Sequence, residues 1–396
     1  MMKRNHCDLL LRGARVIDPA TGRDAVEDVA VSRGIIQAMG SELDMAADGE
    51  LDMRGKVVTP GLVDLHCHVY PDAHWGLDPD TAGVHSGVTT VFDGGSAGLM
   101  TFNHFRNTYV TRARTDVYAF LHLHPTGEAI LPEIWDREKL TLHPDSVVRV
   151  IEENRDLIKG IKVRGIGPWL VHQGLEGLEF ARDICSRTGL PLMTHIGLDP
   201  GDAVPEADLD AFMRGFLGML ESGDIITHAF TGKRGRLFRD DGLYDEDVRS
   251  AIARGVVLDA CVGRTNFSWD AVHTARAHGF SPDVISTDLT TFGMEAVSKN
   301  MGVVMSKFLA VGFSLQEVVA MATTAPARAM GLYPAKGALA VGGKADMSIL
   351  DVFSGEYSFM DRNKGELLRG DKLIAPWGVY LNGELVKAKH TGQPTM

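Results

Sequence analysis

Apolar runs of strand length recur through the middle of the chain. They are Gly61–His66, Val88–Asp93, Val117–Leu123, Ile158–Val163, Leu190–His195, Asp224–His228, Val256–Ala260 and Val284–Asp288. Most are separated by stretches with helical spacing. Asp145–Ile158 carries Val147, Val148, Val150, Ile151, Leu157 and Ile158 on one stripe, with Asp145 as the expected N-cap. Ser314-Leu315-Gln316-Glu317 reads as a capping box opening another helix. Strands alternating with helices over residues 59–333 predict an α/β fold, a (β/α)8 TIM barrel.

The two ends follow a different pattern. Asp8–Arg12 before Gly13, Val16-Ile17 before Asp18-Pro19, and Val29–Val31 and Ile35-Ile36 around Arg33-Gly34 read as short strands and turns. Met347–Leu350 is a further strand candidate, and Asn382-Gly383 between Val379 and Leu385 is a strong hairpin signal. The expectation is a small β-sandwich domain built from both termini, residues 1–58 and 334–396, around a catalytic barrel at 59–333.

Composition narrows the function. Of 396 residues, 44% are hydrophobic and 23% charged, so the chain is globular, not disordered or fibrous. The net charge of −12 argues against nucleic acid and anionic membranes as partners, while leaving room for a local basic pocket. Cys7, Cys67, Cys185 and Cys261 are too scattered for a disulfide scaffold or a CxxC knot. Neither a signal peptide nor an apolar run of membrane-spanning length is visible, so the expected compartment is the cytoplasm.

The chemistry lies where the barrel strands end. His66-Cys67-His68 closes the first run, and residues two apart on a strand face the same side. His66 and His68 can therefore reach one ion, with Cys67 turned away. The fifth run ends in His195, the sixth in His228 and the eighth in Asp288. Each alone could be a hydrogen-bonded core histidine or a helix-capping aspartate. Together, at one barrel mouth, imidazoles and a carboxylate suit Zn, Mn, Fe or Ni. Lys162 ends the fourth run. A lysine inside a barrel is costly as an ammonium, burial lowers its pKa, and the neutral amine can add CO2 to form a carbamate that bridges two metals. A snorkelling, salt-bridged lysine is the alternative.

These residues, with Pro60–His68, Thr287-Asp288, Thr324–Leu332 and Gly337–Asp346, resemble the amidohydrolase superfamily over nearly the whole chain. Gly160–Arg164 and Thr227–Lys233 are most similar to its dihydroorotase-related amidohydrolase/deacetylase branch. The resemblance implies a binuclear, usually zinc, site: His66 and His68 on one ion with Asp288, His195 and His228 on the other, and carbamylated Lys162 bridging. It implies hydrolysis of a small amide or ester by a metal-bridging hydroxide, with Asp288 as the catalytic proton carrier. The favoured substrate is an N-acyl amino acid or acylated α-hydroxy acid, as for a deacetylase. A dihydroorotase- or dihydropyrimidinase-like cyclic amide or imide hydrolase is the runner-up, and a metal-free scaffold paralogue is the remote one. A mononuclear deaminase is a nearer rival, but such relatives typically lack the strand-four lysine. Family members are commonly homo-oligomers. Two departures stand out. Tyr70 occupies the position where dihydroorotases carry a substrate-gripping arginine, and Asp259–Arg264 lacks the Gly-His-Gly of the branch. For a small anionic substrate the candidate contacts are Arg164, Tyr70, Lys233 and Arg264.

Overall fold

The computed structural model describes residues 6–128, 143–164, 175–198, 203–361 and 366–392. Its strands form two sheets. The first is built from both ends of the chain: β1 (His6–Asp18), β2 (Arg23–Ser32), β3 (Ile35–Gly40), β4 (Ala46–Asp52), β5 (Lys56–Pro60), β13 (Met347–Asp361), β14 (Glu366–Leu381) and β15 (Glu384–Lys387). Its order is β15-β14-β13-β5-β1-β2-β3, with β4 alongside β1. The first half of β1 pairs with β4 and the second half with β5. Gly13 does not end a strand, as its sequence context suggested. It sits at φ +68° in an irregularity between Leu11 and Ala14, and β1 continues through it. Both expected hairpins form, with Arg33-Gly34 and Asn382-Gly383 at positive φ, the backbone that two-residue hairpin turns demand. One buried cluster joins the ends, with Val16, Val29, Val31 and Ile36 against Met347, Ile349 and Tyr380.

The second sheet is parallel and runs in chain order: β6 (Leu62–Cys67), β7 (Val88–Asp93), β8 (Asp116–His122), β9 (Ile158–Arg164), β10 (Leu192–His195), β11 (Ile225–Thr227) and β12 (Val257–Asp259). The expected eighth strand, Val284–Asp288, is not a regular strand. It joins β12 through an isolated bridge at Val284 and β6 through a bridge between Leu289 and Cys67. Asp288 N donates to His66 O at 2.7 Å and His68 N to Leu289 O at 3.0 Å. The segment thus links the sheet's two edge strands, but too irregularly to count as a strand. Val63, Leu65, Phe92, Phe120, Met193, Ile225 and Val284 pack into one cluster, an apolar plug supplied from all around the sheet.

Elsewhere, helix Pro144–Glu153 has His143 at its N-cap position, without a side-chain capping hydrogen bond, and Asp145 lies inside its first turn. The helix ends well before Ile158, which opens β9. The capping box of Ser314 and Glu317 is present as expected. No helix among the described residues is long and apolar enough to cross a membrane.

Candidate metal centre

The strand ends bring His66, His68, Lys162, His195, His228 and Asp288 together above the apolar plug. Lys162 Nζ lies 3.9 Å from Met193 Sδ below it and 3.0 Å from His66 Nε2 beside it. His68 Nε2 is 3.1 Å from Asp288 Oδ1, and His66 Nε2 is 3.8 Å from the same oxygen. His228 Nε2 is 3.9 Å from Asp288 Oδ2, and the His195 and His228 rings lie 4.3 Å apart.

The hydrogen bonds fix which nitrogen each histidine presents. Thr227 Oγ1 donates its one proton to Asp259 Oδ2 at 2.8 Å, so toward His66 Nδ1, also at 2.8 Å, it must accept. His66 is therefore protonated on Nδ1 and bare on Nε2. The Nδ1 of His228 faces the carbonyl of Cys261 at 2.9 Å, which also can only accept. The Nδ1 of His68 is held by Ser96 Oγ at 2.9 Å and Glu128 Oε2 at 3.4 Å. Three imidazoles thus have their outer nitrogens anchored and their inner ones turned to a common centre, the arrangement that orients histidine ligands around a cation. The Nε2 of His195 is buried without a hydrogen-bond partner, which is costly unless a ligand takes it up.

Protonation points the same way. Burial pushes His66 and His195 well below the usual imidazole range and His228 to about 4, assisted by the charges of Lys162 and other neighbours. Burial also lowers Lys162, against the pull of Glu128 and Asp288. Desolvation would lower His68 too, but Glu128 and Asp288 raise it to about 9. Burial would raise Asp288, yet its hydrogen bond from His68 and the charges of His228 and Lys162 keep it below its ordinary value, hence ionised at neutral pH. The neutral imidazoles of His66, His195 and His228, a depressed amine and a carboxylate are the forms a divalent cation binds, whereas His68 would have to release its proton to join them.

The backbone is strained at two of these positions. His228 and Asp288 adopt φ +59° and +48°, uncommon for non-glycine residues and a cost of about 1–3 kcal/mol each. Three glycines make room around the centre, Gly95 among them, where a Cβ would lie 2.6 Å from Lys162 Cγ. A Cβ on Gly94 would lie 2.1 Å from His66 Cδ2, and one on Gly263, itself at φ +55°, 2.4 Å from Asp288 Oδ2. Only glycine lets these loops approach so closely.

The substrate candidates divide into two groups. Arg164 ends β9 beside His195, and its charge contributes to lowering His195. Lys233 acts on both His195 and His228. Arg264 is exposed with its guanidinium 5.6 Å from the Phe292 ring. The Tyr70 hydroxyl is engaged by His104 Nδ1 at 3.0 Å, among Phe105 and Tyr109. The remaining basic residues after His228 include Arg234, paired with Glu206, and Arg239, paired with Asp241.

Several contributors escaped the sequence reading: Ser96, Glu128, Thr227 and Asp259. Cys261, by contrast, is expected near the site from its place after the seventh run. Asp259 takes hydroxyl protons from Thr227 and Ser286 and the backbone N–H of Cys261. Burial raises it to about 6. It ends β12 as His195 ends β10, so the rule that singled out the other strand ends would have found it. Asp64 likewise holds Thr287 through its backbone N–H and hydroxyl, setting up Asp288 next door.

Residues 57–386 match the Amidohydrolase family. A deacetylase of Agrobacterium fabrum is 32% identical over 368 residues, covering 90% of this chain and 85% of the relative. A crystal structure of a dihydroorotase superposes with TM-score 0.83 at 28% identity over 96% of this chain and 99% of that one. An adenine deaminase structure superposes with TM-score 0.83 at 26% identity, covering 96% and 100% of the two chains.

Proposed function

Since the chain belongs to the amidohydrolase family, we propose that it is a deacetylase-like hydrolase of a small anionic N-acyl amino acid or acylated α-hydroxy acid. The observation that carries this reading is the convergence of inward-facing histidine nitrogens, a depressed lysine and an ionised aspartate at the strand ends. The donor set fits two divalent cations, with zinc favoured by the imidazole-rich composition. His66, His68 and Asp288 would hold one, His195 and His228 the other, and Lys162, as a CO2 adduct, both. When bound, such a pair supplies an acidified water and polarises the scissile carbonyl.

The chain's own residues do the rest. Asp288 is mostly buried, ionised and close to His68, so it can take the proton of the attacking water and return it to the leaving nitrogen or oxygen. Arg164 and Lys233 place positive charge beside His195, suited to a substrate carboxylate. Ser96, Thr227 and the Cys261 carbonyl keep the histidines in register through the cycle.

The dihydroorotase structure supports cyclic amide hydrolysis as the second reading. Tyr70 weighs against authentic dihydroorotase activity, because its hydroxyl is held by His104 and it lacks an arginine's charge. Under the same proposal, residues 1–58 and 334–396 form one small β-sandwich domain and 59–333 the (β/α)8 barrel. The shared cluster of both ends supports the first and the linkage of Val284–Leu289 to both edge strands the second. Four free, buried cysteines accord with a cytoplasmic setting, and a homo-oligomer with family habit.

The test is a panel of N-acetyl D- and L-amino acids, acetylated α-hydroxy acids, dihydroorotate, hydantoins and adenine, assayed on zinc-loaded protein supplied with bicarbonate. Turnover of acyclic acylated acids supports the proposal. Turnover of cyclic substrates alone replaces it with the second reading, and ammonia release from adenine alone overturns both.

A further inference from the structure

The loop after β12 touches the centre in three ways, and two are explained. The Cys261 carbonyl anchors His228, and Gly263 makes room for Asp288. The third is the Cys261 side chain. It is fully buried, with its sulfur, a ring nitrogen each of His66 and His228, and an oxygen of Asp288 all within 4.8 Å of one another. Nothing in the hydrolytic scheme uses it.

The hydrogen-bonding neighbours of the sulfur are the neutral hydroxyls of Thr227 and Ser286, which Asp259 shares. The backbone N–H of Cys261 is also taken by Asp259, at 3.1 Å. Cys67 makes the contrast. It lies between His66 and His68 in sequence, yet its thiol faces the Phe92 carbonyl at 3.5 Å.

We propose that Cys261 is a further ligand of the centre: its thiolate binds a borderline or soft divalent cation, such as zinc or cadmium, together with His66, His228 and Asp288. Sulfur ligation selects these ions over magnesium, calcium or manganese. On binding, the S–H bond is replaced by a sulfur–cation bond and one proton leaves to water, with no change of oxidation state. The inference rests on the metal-dependent reading above but adds a ligand that reading does not require.

Cadmium tests it with a readout independent of activity. The chelated full-length protein is reloaded with Cd2+ and its ultraviolet difference spectrum recorded, with bound cadmium counted by elemental analysis. The sulfur-to-cadmium charge-transfer band is expected in the wild type and in Cys67→Ser, and is lost in Cys261→Ser although that variant still binds cadmium. Cadmium-113 NMR of the wild type, which needs no variant to fold, should show a resonance shifted downfield into the thiolate range. Cadmium bound without the band and without that shift overturns this inference alone, as does a band that survives in Cys261→Ser. No cadmium bound by the wild type overturns the metal-dependent reading as well.

Discussion

Lys162 and Lys336 both occupy low-dielectric positions in this protein, and the chain treats them in opposite ways. Lys162, near the C-terminal end of β9, is 1% exposed and has His66 and the Met193 sulfur for neighbours. Burial lowers its pKa because no carboxylate is paired with it closely enough to compensate. Lys336, between the parallel sheet and the terminal sheet, is bonded to Asp116 on β8 and to Asp346 just before β13. There the carboxylates overcome burial and raise its pKa. One lysine is a clamp held in its charged form; the other is biased toward the neutral amine. Burial alone distinguishes nothing, and the partners decide which of the two is chemistry.

Removing the site's carboxylate should have the largest effect. Asp288→Asn is expected to keep the fold and reduce kcat by about 10²–10⁴-fold, the usual worth of a positioned proton carrier. Steady-state kinetics on metal-replete protein check this, and an unchanged kcat removes Asp288 from that role.

The lysines should then part company. Lys336→Met leaves Asp116 and Asp346 facing an apolar chain and should destabilise by about 3 kcal/mol, since breaking one side of a buried pair costs about 3–5 and Asp116 is partly exposed. Activity per folded molecule should be unchanged. Lys162→Met should do the reverse, abolishing turnover while leaving the denaturation midpoint of the metal-free protein unchanged or higher. Denaturant titrations and assays on both variants would erase the contrast if both simply unfolded.

Next comes Thr227→Val, which removes the acceptor for His66 Nδ1–H while keeping the shape. Metal affinity should fall about 10–100-fold, as expected for the loss of a group orienting a histidine ligand. Chelator competition measures it, and wild-type affinity would show that the hydroxyl does not hold the ring.

The smallest effect is in pH. Because the native pKa of Lys336 is raised above its ordinary 10.5, its contribution to stability is complete below 10.5 and is lost as pH climbs through the native value. Thermal denaturation should show a fall on the alkaline side that Lys336→Met shifts or flattens. Identical alkaline profiles would deny the clamp.

What the sequence made legible follows from how far each signal reaches. His66 and His68 were readable because side-chain alternation is a local rule, and the same rule turned Cys67 aside. His195, His228 and Asp288 were readable because each ends an apolar run. Thr227, Glu128 and Ser96 were not, since their importance depends on hydrogen bonds to residues that are distant in the chain. Val284–Asp288 looked like a strand because it is apolar, but its hydrogen bonds to β12 and β6 are too irregular for one, and Asp288 turns into the left-handed region. Gly13 looked like a stop because glycine punctuates; in a long strand it permits a bulge instead. Asp145 looked like a cap, but Pro144 at the first helical position moved the N-cap position back to His143.

The central claim is that side chains from separate strands jointly hold two cations with Lys162 between them. Elemental analysis of protein purified with zinc and bicarbonate, wild type beside Lys162→Ala, tests it most directly. The account predicts about two ions per chain in the wild type and a clear loss in the variant; a wild type that retains none, or a variant that retains as many as the wild type, contradicts it.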